Sequence, residues 1–375
     1  MILMYFVMAV LAVLISFYLY FFIKRICKTF GVNTDRKLNK TIIGVVSLCL
    51  AIMCSNVFSF GAIIILHIIG VSLLTRFANM IIRLIAKDSY KEGYKSWKVI
   101  YGSGIIPVIV SAVLLIYGYI NMNNVVETDY TVYTDKAIRE EGYRVALLAD
   151  VHYGVSLNME ELREVCEKIS ERDVDIVVLC GDIVDDNTTN EEMRTFFEIF
   201  SSIKNRYGIF YVYGNHDRQL YRTDRAYTES ELRSVIEGNG IIILEDDTYP
   251  INNEFTIVGR EDASYGGADG RKSMEALLKD VNMDDFILTL DHQPKKYEEN
   301  GEAGTDLLLS GHTHGGQIWP ANILFEIVKF DDAVYGYTAI DDDTQAIVTS
   351  GLAGWGFPVK TASPAEYVII DIKPR

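Results

Sequence analysis

Cysteine is scarce in this 375-residue chain: there are five, and no two stand in a CxxC spacing. Cys49 and Cys54 lie in apolar stretches, Cys27 beside one, and Cys166 and Cys180 are far apart. A thiolate metal site, a redox pair and a disulfide framework are therefore not expected. Proline numbers only seven, and there is no Pro-rich linker, internal repeat or low-complexity tract in the polar part of the chain. Acidic residues are nearly missing from the first 120 positions, which hold 3 Asp+Glu against 12 Lys+Arg. The remaining 255 hold 48 against 23, so the formal net charge of −16 is the sum of +9 and −25. The chain thus joins a cationic apolar module to a strongly acidic polar one. The acidity of the second argues against nucleic acid as its partner.

The first module is read as a membrane anchor, residues 1–122. Met1 to Ile23 carries no charge and ends at Lys24-Arg25. About 20 apolar residues span a bilayer core, and a cleaved signal peptide would carry its basic residues before the apolar run, so a retained helix is expected. Thr41 to Thr75 is again free of charge over 35 residues, too many for one helix. A turn near Ser55-Asn56 and Gly61 would divide it into spans of about 41–58 and 61–83. A fourth span is expected at about 99–120, with Pro107 as a kink. The connections holding Lys24, Arg25, Lys28, Arg36, Lys37 and Lys40, and Arg83, Lys87, Lys91, Lys95 and Lys98, should both be cytoplasmic. Four spans then place both ends of the chain, and the polar module, on the extracytoplasmic side of a plasma membrane. His67 is the one imidazole in this module. A neutral ring hydrogen-bonded to a neighbouring helix is the reading preferred over a functional one. Paired membrane charges of the kind a transport path needs are missing.

From about Tyr130, short β-branched and aromatic runs alternate with polar amphipathic stretches. The runs are Tyr143–Leu148, Asp175–Leu179, Gly208–Val212, Gly240–Leu244, Phe255–Val258, Phe286–Leu290, Asp306–Leu309, Val334–Ile340, Ala346–Thr349 and Tyr367–Ile372. Helix patterns fall at Asn158–Arg172, Glu191–Lys204, Tyr227–Glu237 and Lys272–Lys279, with a capping box at Thr228-Glu-Ser-Glu231. Such alternation predicts an α/β domain of βαβ units, with the later strands forming a second sheet.

The strand ends carry the chemistry. The runs end in Asp150-Val-His152, Gly181-Asp182-Ile-Val-Asp185-Asp186, Gly214-Asn215-His216-Asp217, Asp291-His292 and Gly311-His312-Thr-His314-Gly-Gly-Gln317. Five of the six His lie in these loops. One strand-end Asp commonly caps a helix, and one His is commonly a satisfied surface residue. Five strand ends with the same ligand types are harder to explain that way. Oxygen and imidazole donors without thiolate suit Mn, Fe or Zn, and there are too many for a single four-coordinate ion.

D-x-H, G-D-x-x-D, G-N-H-D, a lone His and G-H-x-H-G-G-Q in this order resemble the calcineurin-like metallophosphoesterases, over roughly residues 143–372. The nearest likeness is to the membrane-anchored bacterial branch and to transmembrane metallophosphoesterases. The resemblance implies an αββα two-sheet sandwich after the membrane helices, as residues 123–375, and a hydrolase acting on phosphoester or pyrophosphate bonds. It implies that Asp150, His152, Asp182 and His314 hold one divalent ion and Asp182, Asn215, His292 and His312 a second. A hydroxide bridging the ions would attack phosphorus. His216 would protonate the leaving oxygen, oriented by Asp185. Asp186 stands where protein phosphatases carry Arg, so a bidentate phosphate clamp of their kind is not expected. Arg260 and Asp262 are read as loop-capping, and the apolar Trp319–Ile327 tract as pocket, membrane contact or packing. The substrate would be a lipid-linked or small phosphorylated molecule. The competing reading is a catalytically silent metal-binding receptor or adaptor, which the complete ligand set disfavours.

Overall fold

The computed structural model describes residues 2–54, 59–86, 95–153, 156–265 and 270–375. The chain divides into two compact units, Met1–Tyr117 and Gly118–Arg375.

The first unit is helical: α1 (Ile2–Thr29), α2 (Lys37–Met53), α3 (Phe60–Ala86), α4 (Lys95–Ser103) and the start of α5 (Ile105–Met122). Among the described residues three helical segments, not the expected four, are long and apolar enough to cross a membrane: Met8–Thr29, Phe60–Ala86 and Ile105–Met122. The expected span at 41–58 is replaced by α2, whose 17 residues begin with Lys37 and include Lys40. At about 1.5 Å per residue α2 reaches about 26 Å, short of a bilayer core of about 30 Å. The turn expected at Ser55-Asn56 lies outside the described residues, as do Lys87 and Lys91. With three spans, the even count that put both ends on the extracytoplasmic side is not met. The last span starts later than expected because Gly104, at φ +70°, breaks the helix between α4 and α5. Pro107 is then in the first turn of α5, where no intrahelical N–H is required, and does not act as an internal kink. His67 Nδ1 lies 2.8 Å from Ile63 O in its own helix, not against a neighbouring one.

The second unit contains two six-stranded sheets. One runs β1 (Val125–Thr134), β12 (Ala365–Pro374), β2 (Tyr143–Leu148), β3 (Ile176–Cys180), β4 (Gly208–Val212), β5 (Ile242–Ile243). The other runs β10 (Gly336–Ala339), β11 (Gln345–Val348), β9 (Leu307–Ser310), β8 (Phe286–Leu290), β7 (Phe255–Gly259), β6 (Asp247–Ile251). Strands β2 to β5 are parallel, and so are β7, β8, β9 and β11. The sheets face each other through one buried cluster that includes Val145, Leu147, Val178 and Val212 from the first and Ile257, Leu288, Leu309 and Ile347 from the second. Alternate residues of the same strands, Ala146, Leu148, Val177 and Leu179, turn outward onto α6 (Met159–Ser170), α7 (Asn190–Ser201) and α8 (Glu229–Gly238). On the far side, Val258 and Ile287 pack on α9 (Met274–Leu278), and Leu308, Ala346 and Val348 on Tyr297 of α10 (Tyr297–Glu302). The layers are therefore helix, sheet, sheet, helix. Both faces of each central strand are covered, which explains why the strand sequences are continuously apolar rather than alternating.

Asn158, Thr189 and Thr228 each close a full capping box at the start of α6, α7 and α8, fixing where each helix leaves its strand-end loop. Three elements were not legible from periodicity. β1 carries alternating polar residues and pairs in parallel with the last strand, β12. β6 is a largely exposed edge. The tract after Trp319 forms a helix, α11 (Ala321–Val328), with no buried residue.

Candidate metal centre

The carboxyl ends of β2, β3, β4, β8 and β9 converge, so two sheets contribute to one site. Their loops are tied by backbone bonds. Asp150 N donates to Gly181 O (3.1 Å) and Val151 N to Asp182 O (2.9 Å), while Gly311 N donates to His292 O (3.0 Å). Between the sheets, His312 N donates to both Asp150 carboxylate oxygens at 3.1 and 3.0 Å. The turns are sharp: Asp150, His152, Asp182, His312 and His314 all have φ between +34° and +69°. Non-glycine residues adopt such backbone at a cost that the surrounding structure must offset, and it is concentrated here on ligand-type side chains. Gly214 is glycine for a visible reason, because a Cβ there would collide with the Asp182 carboxylate and backbone N.

The side chains gather into three groups. Asp150, His152 and His314 form one, Asp182, His292 and His312 a second, and Asp185, Asp186 and His216 a third. The first two meet at Asp182, whose Oδ2 lies 3.1 Å from His292 Nε2 and 3.6 Å from His152 Nε2. His152 Nε2 is also 3.9 Å, and His314 Nε2 3.7 Å, from Asp150 Oδ1. Two of these rings are oriented from behind by backbone carbonyls: His292 Nδ1 contacts Cys180 O at 2.8 Å and His314 Nδ1 contacts Ala353 O at 3.4 Å. A carbonyl accepts only from a protonated nitrogen, so each ring turns its Nε2 lone pair into the site, as metal-ligating histidines do.

The site is built for positive charge. His152 Nε2, His292 Nε2 and Asn215 Oδ1 are buried with no hydrogen-bond partner, and leaving such atoms unpaired is costly unless something else coordinates them. Burial pushes the Asp150 carboxyl up to about 6, with the Asp182 charge adding to it. Burial also opposes ionisation of Asp182, but His292 and His152 hold it well below its ordinary value. Burial, with His292 beside it, lowers His312 to about 3, and burial with His152 takes His314 well below its usual value. Together these carboxylates, imidazoles and the Asn215 amide form an oxygen and nitrogen donor set that fits divalent cations such as Mn, Fe or Zn.

The third group differs from the sequence expectation. Asp185, expected behind His216, instead has Oδ2 3.5 Å from His152 Nδ1. Asp186 supplies the carboxylate on His216, with Oδ2 2.6 Å from Nδ1. Burial alone would lower His216, but the Asp186 bond and the charge of Asp182 override it and raise it to about 9. His216 sits at the edge of the site, its ring centroid 5.6 Å from that of Trp355 and 5.2 Å from that of Tyr221. Asp217 was also missed. Its buried carboxylate accepts from Asp182 N (2.9 Å), Gly214 N (2.6 Å) and Val184 N (3.1 Å), and so holds two ligand loops together. The final Asp of GNHD was the available signal for it. Arg260 and Asp262 are buried and hold their loops, Arg260 donating to Asn300 Oδ1 and Lys272 O and Asp262 accepting from Gln293 Nε2 and Ser264 N.

Residues 143–316 match the family model for calcineurin-like phosphoesterases. A metallophosphoesterase of Helicobacter pylori is 28% identical over 245 residues, covering 65% of this chain and 63% of its own. One of Campylobacter jejuni is 27% identical over 277 residues, covering 72% and 70%. A transmembrane protein with metallophosphoesterase domain of Danio rerio is 26% identical over 290 residues, covering 72% and 62%. The chain thus spans just under two thirds of the length of the Helicobacter relative. The ordered strand-end motifs, the two-sheet architecture and these matches agree, and residues 143–316 of the chain match the calcineurin-like phosphoesterases.

Proposed function

We propose that this chain is a membrane-anchored phosphoester hydrolase whose catalytic unit works with two divalent cations. The observation that carries the reading is Asp182, one carboxylate oxygen shared between the imidazoles of two separate ligand groups. Asp150, His152, Asp182 and His314 would hold one cation, and Asp182, Asn215, His292 and His312 the other. Bound there, the cations would supply activation of water and neutralisation of phosphoryl charge. The remaining steps belong to side chains. His216 is fixed through Nδ1 by Asp186, which leaves Nε2 for the leaving oxygen of a substrate, and it donates the proton there. Asp185, on the outer nitrogen of His152, acts as a positioning residue. Trp355 and Tyr221 wall the side of the site where the leaving group emerges, which suits a substrate with an apolar or planar portion.

The test is hydrolysis of p-nitrophenyl phosphate and bis(p-nitrophenyl) phosphate by the full chain in detergent with added Mn. Activity on at least one ester is expected, and Asp182→Asn should abolish it. Inactivity on both, or full activity in Asp182→Asn, would overturn the reading.

A further inference from the structure

We infer that α11 is a bilayer-docking element, seated in the membrane interface next to the ligand loop of the metal centre. Its sequence, ANILFEIV, is followed by Lys329 and Phe330. None of its residues is buried, and Leu324, Ile327, Val328 and Phe330 are 56, 74, 63 and 68% exposed. Trp319 and Ile323 add to the same patch. A helix packed in a domain core hides its apolar stripe. This one presents large apolar groups to its surroundings within one short segment, which marks an interaction site.

Position identifies the occupant as lipid. α11 is held by the loop that carries His314: its Asn322 backbone packs directly on Gly316, where a Cβ would collide. The stem of that loop is bonded to the segment 360–363, through Thr361 N to Gln317 O (2.8 Å) and Trp319 N to Thr361 Oγ1 (2.9 Å). The same segment is fastened to the last turn of α5. Lys360 N donates to Gly118 O (3.0 Å), and Asn121 Nδ2 donates to Lys360 O (2.9 Å) and Ser363 O (2.7 Å). Ser363 Oγ in turn donates to His314 O at 3.0 Å. All of these contacts lie within Gly118–Arg375, and Gly118–Met122 ends a helix apolar enough to cross a membrane. The exposed patch is therefore continuous, through a few hydrogen bonds, with the end of a membrane span. A short helix with Trp, Phe, Leu and Ile on its surface is the kind that lies in the headgroup region. Given the phosphoesterase reading, on which this consequence alone rests, docking would favour amphiphilic phosphoesters held in the bilayer.

Depth measurement tests the docking without reference to activity. The full chain, with Cys27 and Cys49 replaced by serine, is reconstituted in phosphatidylcholine–phosphatidylglycerol nanodiscs, and Ile327→Cys or Phe330→Cys is spin-labelled. Both labels should be several-fold more accessible to oxygen than to a water-soluble nickel chelate, whereas a label at Glu302, on α10, should show the reverse. Nickel-accessible labels at 327 and 330 would overturn the proposal. So would labels shielded from both reagents with dipolar broadening, which would indicate a second copy of the chain. In the double variant Ile327→Glu/Val328→Glu, the label at 330 should become nickel-accessible. Hydrolysis of vesicle-embedded dioleoyl phosphatidate should fall at least tenfold while p-nitrophenyl phosphate turnover is unchanged. Equal rates of the variant and the parent chain on phosphatidate would overturn the substrate consequence. Failure of the phosphoesterase reading itself would show separately, as no turnover of either p-nitrophenyl phosphate or bis(p-nitrophenyl) phosphate by the parent chain.

Discussion

Asp217→Asn isolates one side chain that contacts none of the proposed reacting groups yet organises the site. Burial, with Asp182 nearby, pushes the Asp217 carboxyl up, and the N–H groups of Gly214 and Val184 pull it back. As a carboxylate it accepts three backbone N–H bonds at 2.6 to 3.1 Å. An amide of the same shape can offer oxygen to only one side. In its better orientation it keeps the bonds from Asp182 and Gly214 without the charge, a loss of about 1 kcal/mol each, and sets its NH2 against Val184 N–H. That unsatisfied donor adds about 1–3 kcal/mol, for a total of about 3–5 kcal/mol. For a unit of this size, where 1 kcal/mol is worth about 2–4 °C, melting should fall by about 6–20 °C. Thermal unfolding of the full chain in detergent, followed by near-UV circular dichroism, reads this directly. Because the bond that anchors Asp182 N loses its charge, Mn affinity should fall in parallel. A melting shift under about 3 °C with unaltered Mn binding would refute the assignment of Asp217 as the clamp between the loops.

Asp186→Asn should lower kcat about tenfold or more for an alkyl phosphate, whose leaving oxygen needs a proton, and far less for a nitrophenyl ester; Asp185→Asn should weaken Mn binding through His152 without that leaving-group dependence. Asp182→Asn should lower the Mn bound per chain, counted by elemental analysis after gel filtration, because it removes the donor shared by both ligand groups. Chelation with EDTA should lower the melting temperature and excess Mn should restore it, by about 2.7 kcal/mol at a hundred times Kd, since His152, His292 and Asn215 each have a buried atom without a hydrogen-bond partner. Lys360 is fully buried, and Nζ donates to Ser350 O, Gly351 O and Ala353 O. Burial lowers it from 10.5 to about 7. Between those values the unfolded chain binds more protons than the folded one, so this group's contribution to stability rises with pH from 7 towards 10.5. Unfolding of Lys360→Met, compared with the parent chain at about pH 7 and about pH 9.5, should show that rise missing.

Much of this molecule is legible along the chain because local chemistry repeats. Each buried parallel strand needs a continuous apolar run, and the runs that end at the site are followed by loops of carboxylate, amide or imidazole groups, so the candidate donors Asp150, His152, Asp182, Asn215, His292, His312 and His314 stand out along the chain. The helix start at Thr228 was legible for the same local reason, a cap and its Glu three residues on, and Asn158 and Thr189 close the same box in the structure. Span lengths were harder to read. A charge-free run sets an upper bound on a membrane helix, but Gly104 and the basic start of α2 decide where the helix begins.

Which residue types stand at each strand end, and in what order, is legible along the chain, because both are properties of local sequence. Tertiary structure alone decided which carboxylate serves which imidazole. Asp185 and Asp186 are neighbours in sequence, yet one faces His152 and the other His216, because adjacent side chains leave a turn in different directions. It likewise brought β1 beside β12, at opposite ends of the catalytic unit. It placed Lys360 under the His314 loop and left α11 uncovered, both matters of packing between segments that no local periodicity encodes.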